Sequence, residues 1–292
     1  MGPNTPTLSS VGHRGICSLS VKAYRGRGKR RRRRYQEGGV AMRKLACLTV
    51  LALGLVAADA ADAAKHEIPQ PDADGWITLF NGKDLTGWEG LDGYWSVVDG
   101  AIQMSETKEN SKQTNLILLC SKDYPEKFAN FELRYSYRYI TPTGNSGVQI
   151  RGKIDNPKML HVGGYQADND PANQYTGILY DEGGVAGGRG IMSKRGEKTV
   201  YDETGKRTNT PLEKGDAEIK KAIKPVGEWN ECVVIADGNR IVYSINGVVT
   251  TEMIDNHPKA CKDGVIGLQM HGGHTMTLQY KDLKIKMLPE KK

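Results

Sequence analysis

Polar side chains recur at every second position in three short segments between residues 145 and 182, and again in a fourth segment near residue 270. Successive residues of a β-strand point to opposite faces of its sheet. If the segments are strands, each turns two functional side chains to one face: Gln149 with Arg151, Gln166 with Asp168, Tyr180 with Glu182, and Gln269 with His271. Adjacent in one sheet, these pairs would form a patch of amides, carboxylates, an arginine, a tyrosine and a histidine, which is suited to binding a sugar.

The chain after residue 75 has the pattern of short β-strands separated by turns. Residues 131–139 alternate apolar and polar side chains, as expected of a half-buried strand. The Asp-Gly pair at residues 99–100 and the Asn-Gly pair at residues 246–247 predict hairpin turns. Many short strands without alternating helices predict an all-β domain, a sandwich of two antiparallel sheets in the form of a jelly roll.

One long segment departs from this pattern. Residues 183–225 are rich in Gly, Lys and Glu, with weak strand signals around residues 189–192 and 198–201 and a short helix signal at residues 217–223. Long loops in compact domains are usually functional lids or disordered linkers. We expect this excursion to cover part of the polar patch.

The segment before the β-rich region has the features of a secretory signal peptide. Residues 42–60 begin with charged side chains, continue with a short apolar run and end with small residues. The run is shorter than the ~20 residues that span a bilayer, so no membrane span is expected. Residues 61–74 are then a linker, residues 75–288 are the folded domain, and the protein is expected to be secreted or periplasmic.

Residues 1–41 are strongly basic and precede this signal. They are either an arm that binds nucleic acid or an upstream extension from a wrongly chosen start codon, and the second interpretation is favoured because a signal normally begins a protein. Ten Lys or Arg against one Glu give this segment a charge of +9, which leaves −2 of the whole-chain +7 for residues 42–292. The folded part therefore has no basic bias toward nucleic acid. Its oligomeric state is not indicated.

Five sequence motifs occur in one order along the chain. They are residues 79–88 (LFNGKDLTGW), 145–152 (NSGVQIRG), 164–168 (GYQAD), 227–230 (GEWN) and 264–273 (GVIGLQMHGG). Together they resemble the bacterial 3-keto-disaccharide hydrolase family over about residues 75–288. The resemblance implies a concanavalin A-like, laminin G-like jelly roll, secretion, and activity on glycosides whose C3 hydroxyl has been oxidised.

The implied substrate permits a particular reaction, because a C3 ketone acidifies the C2 proton. Loss of that proton allows elimination of the C1 substituent, and water can then add to the enone. The route needs a base near C2, a donor to the enolate oxygen and an acid for the leaving group. The proton-transfer candidates are Asp168, Glu182 and His271, with the base left open between the last two. Arg151 is the candidate enolate anchor, and the substrate-binding candidates are Gln149, Gln166, Tyr180 and Gln269.

Other functions remain open at this stage. A non-catalytic, lectin-like carbohydrate-binding module and a structural cell-surface domain share this type of fold. No cofactor is required by the reaction. The oxygen donors of residues 168–170 could hold calcium, whereas His271 and His274 offer only two imidazoles and lack a third zinc ligand placed by spacing.

We predict that the mature protein begins near Ala61 and is exported, because the small residues at positions 58–60 form the end of a cleavable signal. N-terminal sequencing of exported protein would test this prediction. Soluble cytoplasmic protein that retains residues 1–60 would contradict it.

Overall fold

The computed structural model describes residues 69–112, 114–120, 128–156 and 161–290, which belong to one compact unit, Ala60–Lys292. The predicted basic segment and signal peptide, residues 1–60, lie outside the described residues and stay predictions. Within the described ranges, no helix is long and apolar enough to cross a membrane.

Seventeen strands and one helix form in the described ranges. They are β1 (Trp76–Thr78), β2 (Trp88–Glu89), β3 (Trp95–Val98), β4 (Ala101–Glu106), β5 (Leu116–Cys120), β6 (Phe131–Tyr139), β7 (Ser146–Asn156), β8 (His161–Asn169), β9 (Leu179–Glu182), β10 (Ile191–Ser193), β11 (Glu197–Tyr201), β12 (Arg207–Pro211), α1 (Asp216–Ala222), β13 (Asn230–Asp237), β14 (Arg240–Ile245), β15 (Val248–Asp255), β16 (Val265–Met270) and β17 (Met276–Met287).

These strands form two sheets. The larger has ten strands in the order β12-β11-β15-β14-β13-β6-β17-β4-β3, with β1 paired to β17, and the smaller has seven in the order β10-β9-β8-β7-β16-β5-β2. Neighbours are antiparallel apart from the parallel pair of β11 and β15. The predicted all-β, jelly-roll sandwich of two antiparallel sheets is therefore confirmed.

Apolar faces of both sheets form one core. Ile150 and Leu268 of the smaller sheet belong to the same buried cluster as Leu133 and Leu278 of the larger sheet. Each such side chain stabilises the fold by about 1.5–3 kcal/mol when it is fully buried. The alternation of apolar and polar residues predicted for β6, β7 and β16 therefore turns the apolar face of each strand toward the core.

Hydrogen bonds from buried tyrosines connect the sheets at the polar end of β8. The Tyr139 hydroxyl of β6 donates to the carbonyl oxygen of Asn169 over 2.9 Å. The Tyr280 hydroxyl of β17 lies 2.8 Å from the Ser146 hydroxyl of β7. Because both tyrosines are buried in the core, these contacts fix where β7 and β8 end relative to the larger sheet.

Residues 183–225 are mostly ordered structure, and the expected cover over the polar patch is present in part, because Gly190 and Ile191 line the same cleft as Asp168. They contain β10, β11, β12 and α1, and the predicted short helix is confirmed. β11 pairs with β15 in parallel, with Thr199 opposite Met253, and so extends the larger sheet. This pairing satisfies backbone groups that a free loop would leave to water.

Gly264 permits a close approach of the segment before β16 to β7. A Cβ atom at residue 264 would lie 2.2 Å from the Gly152 carbonyl oxygen and 2.5 Å from the Arg151 carbonyl carbon. Gly227 also has a positive φ, but a Cβ atom there would meet nothing within 4 Å.

We therefore expect Gly264→Ala to lower the free energy of unfolding by roughly 3 kcal/mol, because the new Cβ atom would force the backbone at residues 151–152 to shift. The matched variant Gly227→Ala should lose only about 1–2 kcal/mol, from its unfavourable φ. Denaturant unfolding of both variants measures the difference. Equal losses would contradict the importance of the close approach.

Candidate functional site

A cleft of about 870 Å³ lies on the outer face of the smaller sheet. Its volume is within the range typical of small-molecule sites, about 300–1,000 Å³. Five of the predicted site residues line it: Gln166, Asp168, Tyr180, Glu182 and His271. The outward faces of β8 and β9, together with the segment after β16, therefore meet as the alternation predicted.

The sheet is strongly curved around this cleft. Asn115 directly precedes β5, whereas Glu182 ends β9, and three strands separate β5 from β9. In a flat sheet those two strands would be about 19 Å apart, at ~4.8 Å per strand. The Asn115 side-chain amide nevertheless donates to Glu182 Oε1 over 2.9 Å. The two sides of the sheet therefore approach each other across a concave face.

Three buried glutamine amides form a row beneath the cleft, and of the three predicted substrate-binding glutamines only Gln166 lines it, whereas Gln149 and Gln269 do not. Gln149 Nε2 donates to Gln166 Oε1 over 2.5 Å, and Gln166 Nε2 donates to Gln269 Oε1 over 3.2 Å. Gly147 makes room for this row, because a Cβ atom there would lie 2.5 Å from Gln166 Cγ. Gln149 Oε1 at one end of the row has no hydrogen-bond partner, whereas Gln269 at the other end contributes a hydrogen bond that lowers the pKa of Glu182.

Asp168 is a buried carboxyl group at one end of the cleft, with 5% of its surface exposed. Burial raises its pKa well above the ordinary value of 3.8, and the nearby Asp170 adds to the rise. The Asn145 amide donates to Asp168 Oδ1 over 3.0 Å and offsets part of this effect. Asp168 therefore keeps its proton to a higher pH than an ordinary aspartate.

Glu182 has the opposite electrostatic environment. Burial by itself would raise its pKa, but hydrogen bonds from His161 and Asn115 outweigh that effect and bring the pKa below the ordinary 4.5. His161 Nε2 lies 3.7 Å from Glu182 Oε1. The cleft thus holds one carboxyl group that favours the protonated form and one that favours the ionised form.

The predicted position of Arg151 in the cleft is wrong. Its backbone has a φ of 49°, and the register between β7 and β8 shifts between Ile150 and Lys153. A β-bulge of this kind breaks the alternation of faces. The side chain turns inward, where Nε donates to the Ala129 carbonyl over 2.8 Å and Nη1 to the Gly238 carbonyl over 2.7 Å.

The oxygen donors of residues 168–170 do not converge as a calcium site would require. Asp168 faces the cleft, whereas the Asn169 amide donates to the Tyr280 hydroxyl over 3.1 Å in the core. The Asp170 carboxylate accepts backbone N–H groups of its own loop. Among the described residues, no group of three His, Cys, Asp or Glu side chains is arranged to hold a metal.

Histidines at the cleft include two that the sequence analysis left without a role. His274 lines the cleft beside His271, with ring centroids 5.2 Å apart. His161 lies at the start of β8, next to Glu182. His271 Nδ1 lies 3.0 Å from the Gly272 carbonyl oxygen. A carbonyl can only accept, so Nδ1 carries a proton and Nε2 is the nitrogen left available.

The sequence analysis also missed two asparagines that donate hydrogen bonds to the carboxyl groups of the cleft, Asn145 to Asp168 and Asn115 to Glu182. Asn145 begins one of the sequence motifs, and its position just before β7 was the signal that could have identified it. Asn115 precedes β5 and reaches Glu182 only because the sheet curves, and no sequence pattern indicates that approach.

A family model described as the 3-keto-alpha-glucoside-1,2-lyase-like domain matches residues 75–286. Because this match covers most of the sequence, the chain belongs to that family. The predicted family resemblance is therefore confirmed. The family to which the chain belongs identifies it as a carbohydrate-active protein.

Individual relatives are distant. A 3-keto-disaccharide hydrolase of Bacteroides thetaiotaomicron is 23% identical over an alignment of 265 positions that covers 74% of this chain and 80% of that protein. A Parabacteroides distasonis structure with a provisional glycosyl hydrolase name has 21% identity and a TM-score of 0.46, covering 74% of this chain and 95% of its own. The carbohydrate-binding module CBM66 of Bacillus subtilis has 14% identity and a TM-score of 0.42, covering 69% and 96%.

The opposite pKa directions of Asp168 and Glu182 predict opposite dependences of stability on pH. The folded-state pKa of Asp168 is raised. Its contribution to the free energy of unfolding is therefore complete below about pH 4 and is lost as pH rises through the raised pKa. The folded-state pKa of Glu182 is lowered, so its contribution is present above its ordinary pKa of 4.5 and is lost as pH falls.

We expect the Tm of Asp168→Asn, relative to the unmodified protein, to rise by at least ~3 °C between pH 4 and pH 8. Glu182→Gln is the matched control, and its relative Tm should fall over the same range. Calorimetric scans at several pH values measure both trends. Parallel trends for the two variants would contradict the assignment of opposite pKa shifts.

Proposed function

We propose that this protein cleaves 3-keto-glycosides by elimination of the C1 substituent and hydration of the resulting enone. The observation that carries the proposal is the pair of carboxyl groups in one cleft whose pKa values are shifted in opposite directions. Such a pair supplies an acid and a base at the same pH. The membership in a family described as 1,2-lyase-like supports this order of bond breaking.

In the first step, the Glu182 carboxylate removes the C2 proton. The electron pair of the C2–H bond forms a C2=C3 double bond, and the C3 carbonyl becomes an enolate oxygen. The low pKa of Glu182 keeps it ionised and ready to accept the proton. His271 Nε2 is the rival base, because its ring donates through Nδ1 and leaves Nε2 open.

Donors to the enolate oxygen must come from groups other than Arg151, which lies outside the cleft. The hydroxyl of Tyr180 lines the cleft, and burial together with the charges of Glu182 and Asp168 raises its pKa, so it stays protonated and can donate. Donors aimed at developing charge are a large contribution to catalysis in such sites.

In the second step, the enolate collapses, the C1–O bond breaks and a C1=C2 double bond forms. Protonated Asp168 donates its proton to the departing oxygen. Water then adds at C1, giving one proton to the Asp168 carboxylate, while Glu182, whose proton has meanwhile exchanged with solvent, protonates C2. Both carboxyl groups recover their starting states, and the product is the free 3-keto sugar.

The direct test is incubation with a 3-keto-glucoside and detection of the free 3-keto sugar. We expect turnover, together with exchange of the C2 proton in deuterated solvent. Binding without turnover would instead favour a lectin-like module, and the absence of both would favour a structural domain.

Two carboxamide variants separate the roles of the acid and the base. Glu182→Gln should reduce both C2 exchange and product release by about 10²–10⁴. Asp168→Asn should slow release of an alkyl leaving group by a similar factor but spare a nitrophenyl leaving group, which departs without a proton. If His271→Gln abolishes C2 exchange and Glu182→Gln does not, the base is His271 and the assignment to Glu182 is wrong.

A further inference from the structure

An exposed tyrosine lies at the mouth of the cleft and has no role in the reaction proposed above. Tyr175 is 37% exposed and is one of the few large apolar side chains at the surface of the described ranges. It also lines the cleft. Its ring therefore offers a flat apolar surface to whatever enters.

The loop that carries this ring is fixed by one buried carboxylate. Asp170 accepts the backbone N–H groups of Gln174, Tyr175 and Thr176 over 3.0, 2.7 and 2.8 Å. The Thr176 hydroxyl donates back to the Asp170 carbonyl oxygen over 2.8 Å. A loop with this many internal hydrogen bonds presents its side chains in a defined position.

A second anchor comes from the segment before β11. Arg195 donates to the carbonyl oxygens of Gln174 and Thr176, and its Nε donates to Asp216 over 2.7 Å. The Gln174 amide donates to the Tyr175 hydroxyl over 3.0 Å, which orients the ring itself. The tyrosine is thus exposed but held, and a preorganised side chain loses little conformational entropy on binding.

The position of the loop indicates which part of the substrate the ring would meet. Gly177 N–H donates to the Asp168 carbonyl over 3.0 Å, and Asp168 N–H donates to the Ile178 carbonyl over 3.2 Å. The loop therefore adjoins the strand end that carries the acid. An acid that protonates the leaving oxygen lies beside the leaving group, so Tyr175 is on the leaving-group side.

We propose that Tyr175 stacks on the sugar ring of the leaving group and selects 3-keto disaccharides over glycosides with small leaving groups. The proposal rests on the proposed function, because the acid at Asp168 defines the leaving-group side. Aromatic rings bind the apolar face of a pyranose while its hydroxyls remain in water, and the held tyrosine supplies such a surface.

The test compares a 3-keto disaccharide with the methyl 3-keto-glucoside, which has no second ring. For Tyr175→Ala we expect the ratio of the two kcat/KM values to fall about tenfold, equivalent to ~1.4 kcal/mol, through a higher KM for the disaccharide and little change in kcat. Tyr175→Phe keeps the ring and should restore the ratio. Val249→Ala, another exposed apolar side chain but outside the cleft, controls for surface substitution.

An unchanged ratio in Tyr175→Ala would overturn the proposal, as would an equal loss on both substrates. If the unmodified protein turns over neither substrate, the proposed function is wrong, and the stacking role is decided by calorimetric titration with the same two compounds. Weaker binding of the disaccharide alone in Tyr175→Ala would then support the stacking role. Equal binding by both proteins would contradict it.

Discussion

Buried polar side chains on the outer face of the smaller sheet must find hydrogen-bond partners in one another, and this constraint governs the site. Gln149, Gln166 and Gln269 are almost fully buried, and an unpaired buried amide costs about 1–3 kcal/mol. They therefore form a directed row across three strands. A directed row holds each amide in one orientation, so the cleft floor is defined before any substrate arrives.

The same constraint explains why two carboxyl groups of one cleft have different pKa values. Burial raises the pKa of Asp168 and has a larger effect than the hydrogen bonds that Asp168 accepts from the Asn145 and Gln166 side chains and from the Asn169 backbone. Glu182 is buried beside His161 and Asn115, and these donors outweigh burial. The donor from Asn115 depends on the curvature of the sheet, because three strands separate its strand from that of Glu182. The shape of the sheet thus contributes to keeping a candidate catalytic group ionised.

Strand alternation predicted most of the cleft because it follows from local geometry. Gln166 and Asp168 lie on β8, and Tyr180 and Glu182 on β9, where pairing runs without a bulge, so the period of two holds. Arg151 itself has a positive φ, and one extra residue after Ile150 turns its side chain away from the cleft and against backbone carbonyl groups of other segments. No residue pattern in that segment predicts the bulge.

Non-local pairing accounts for what the sequence did not predict in the fold. The sequence predicts a weak strand at residues 198–201. That strand pairs in parallel with β15, about fifty residues away along the chain, and local patterns do not specify such a partner. His161 and Asn115 reach Glu182 by the same kind of long-range contact. The sheet architecture was therefore predictable from local patterns, whereas the partners that set the Glu182 charge were not.

The central claim is that the cleft holds one protonated and one ionised carboxyl group at the same pH. Carbon-13 NMR of protein labelled at the side-chain carboxyl groups measures this directly, with Asp168→Asn and Glu182→Gln used to assign the two resonances. The account predicts that, as pH rises, the Glu182 resonance changes to the chemical shift of a carboxylate while the Asp168 resonance still has that of a carboxylic acid. Ionisation of Asp168 together with Glu182 or before it would contradict the account.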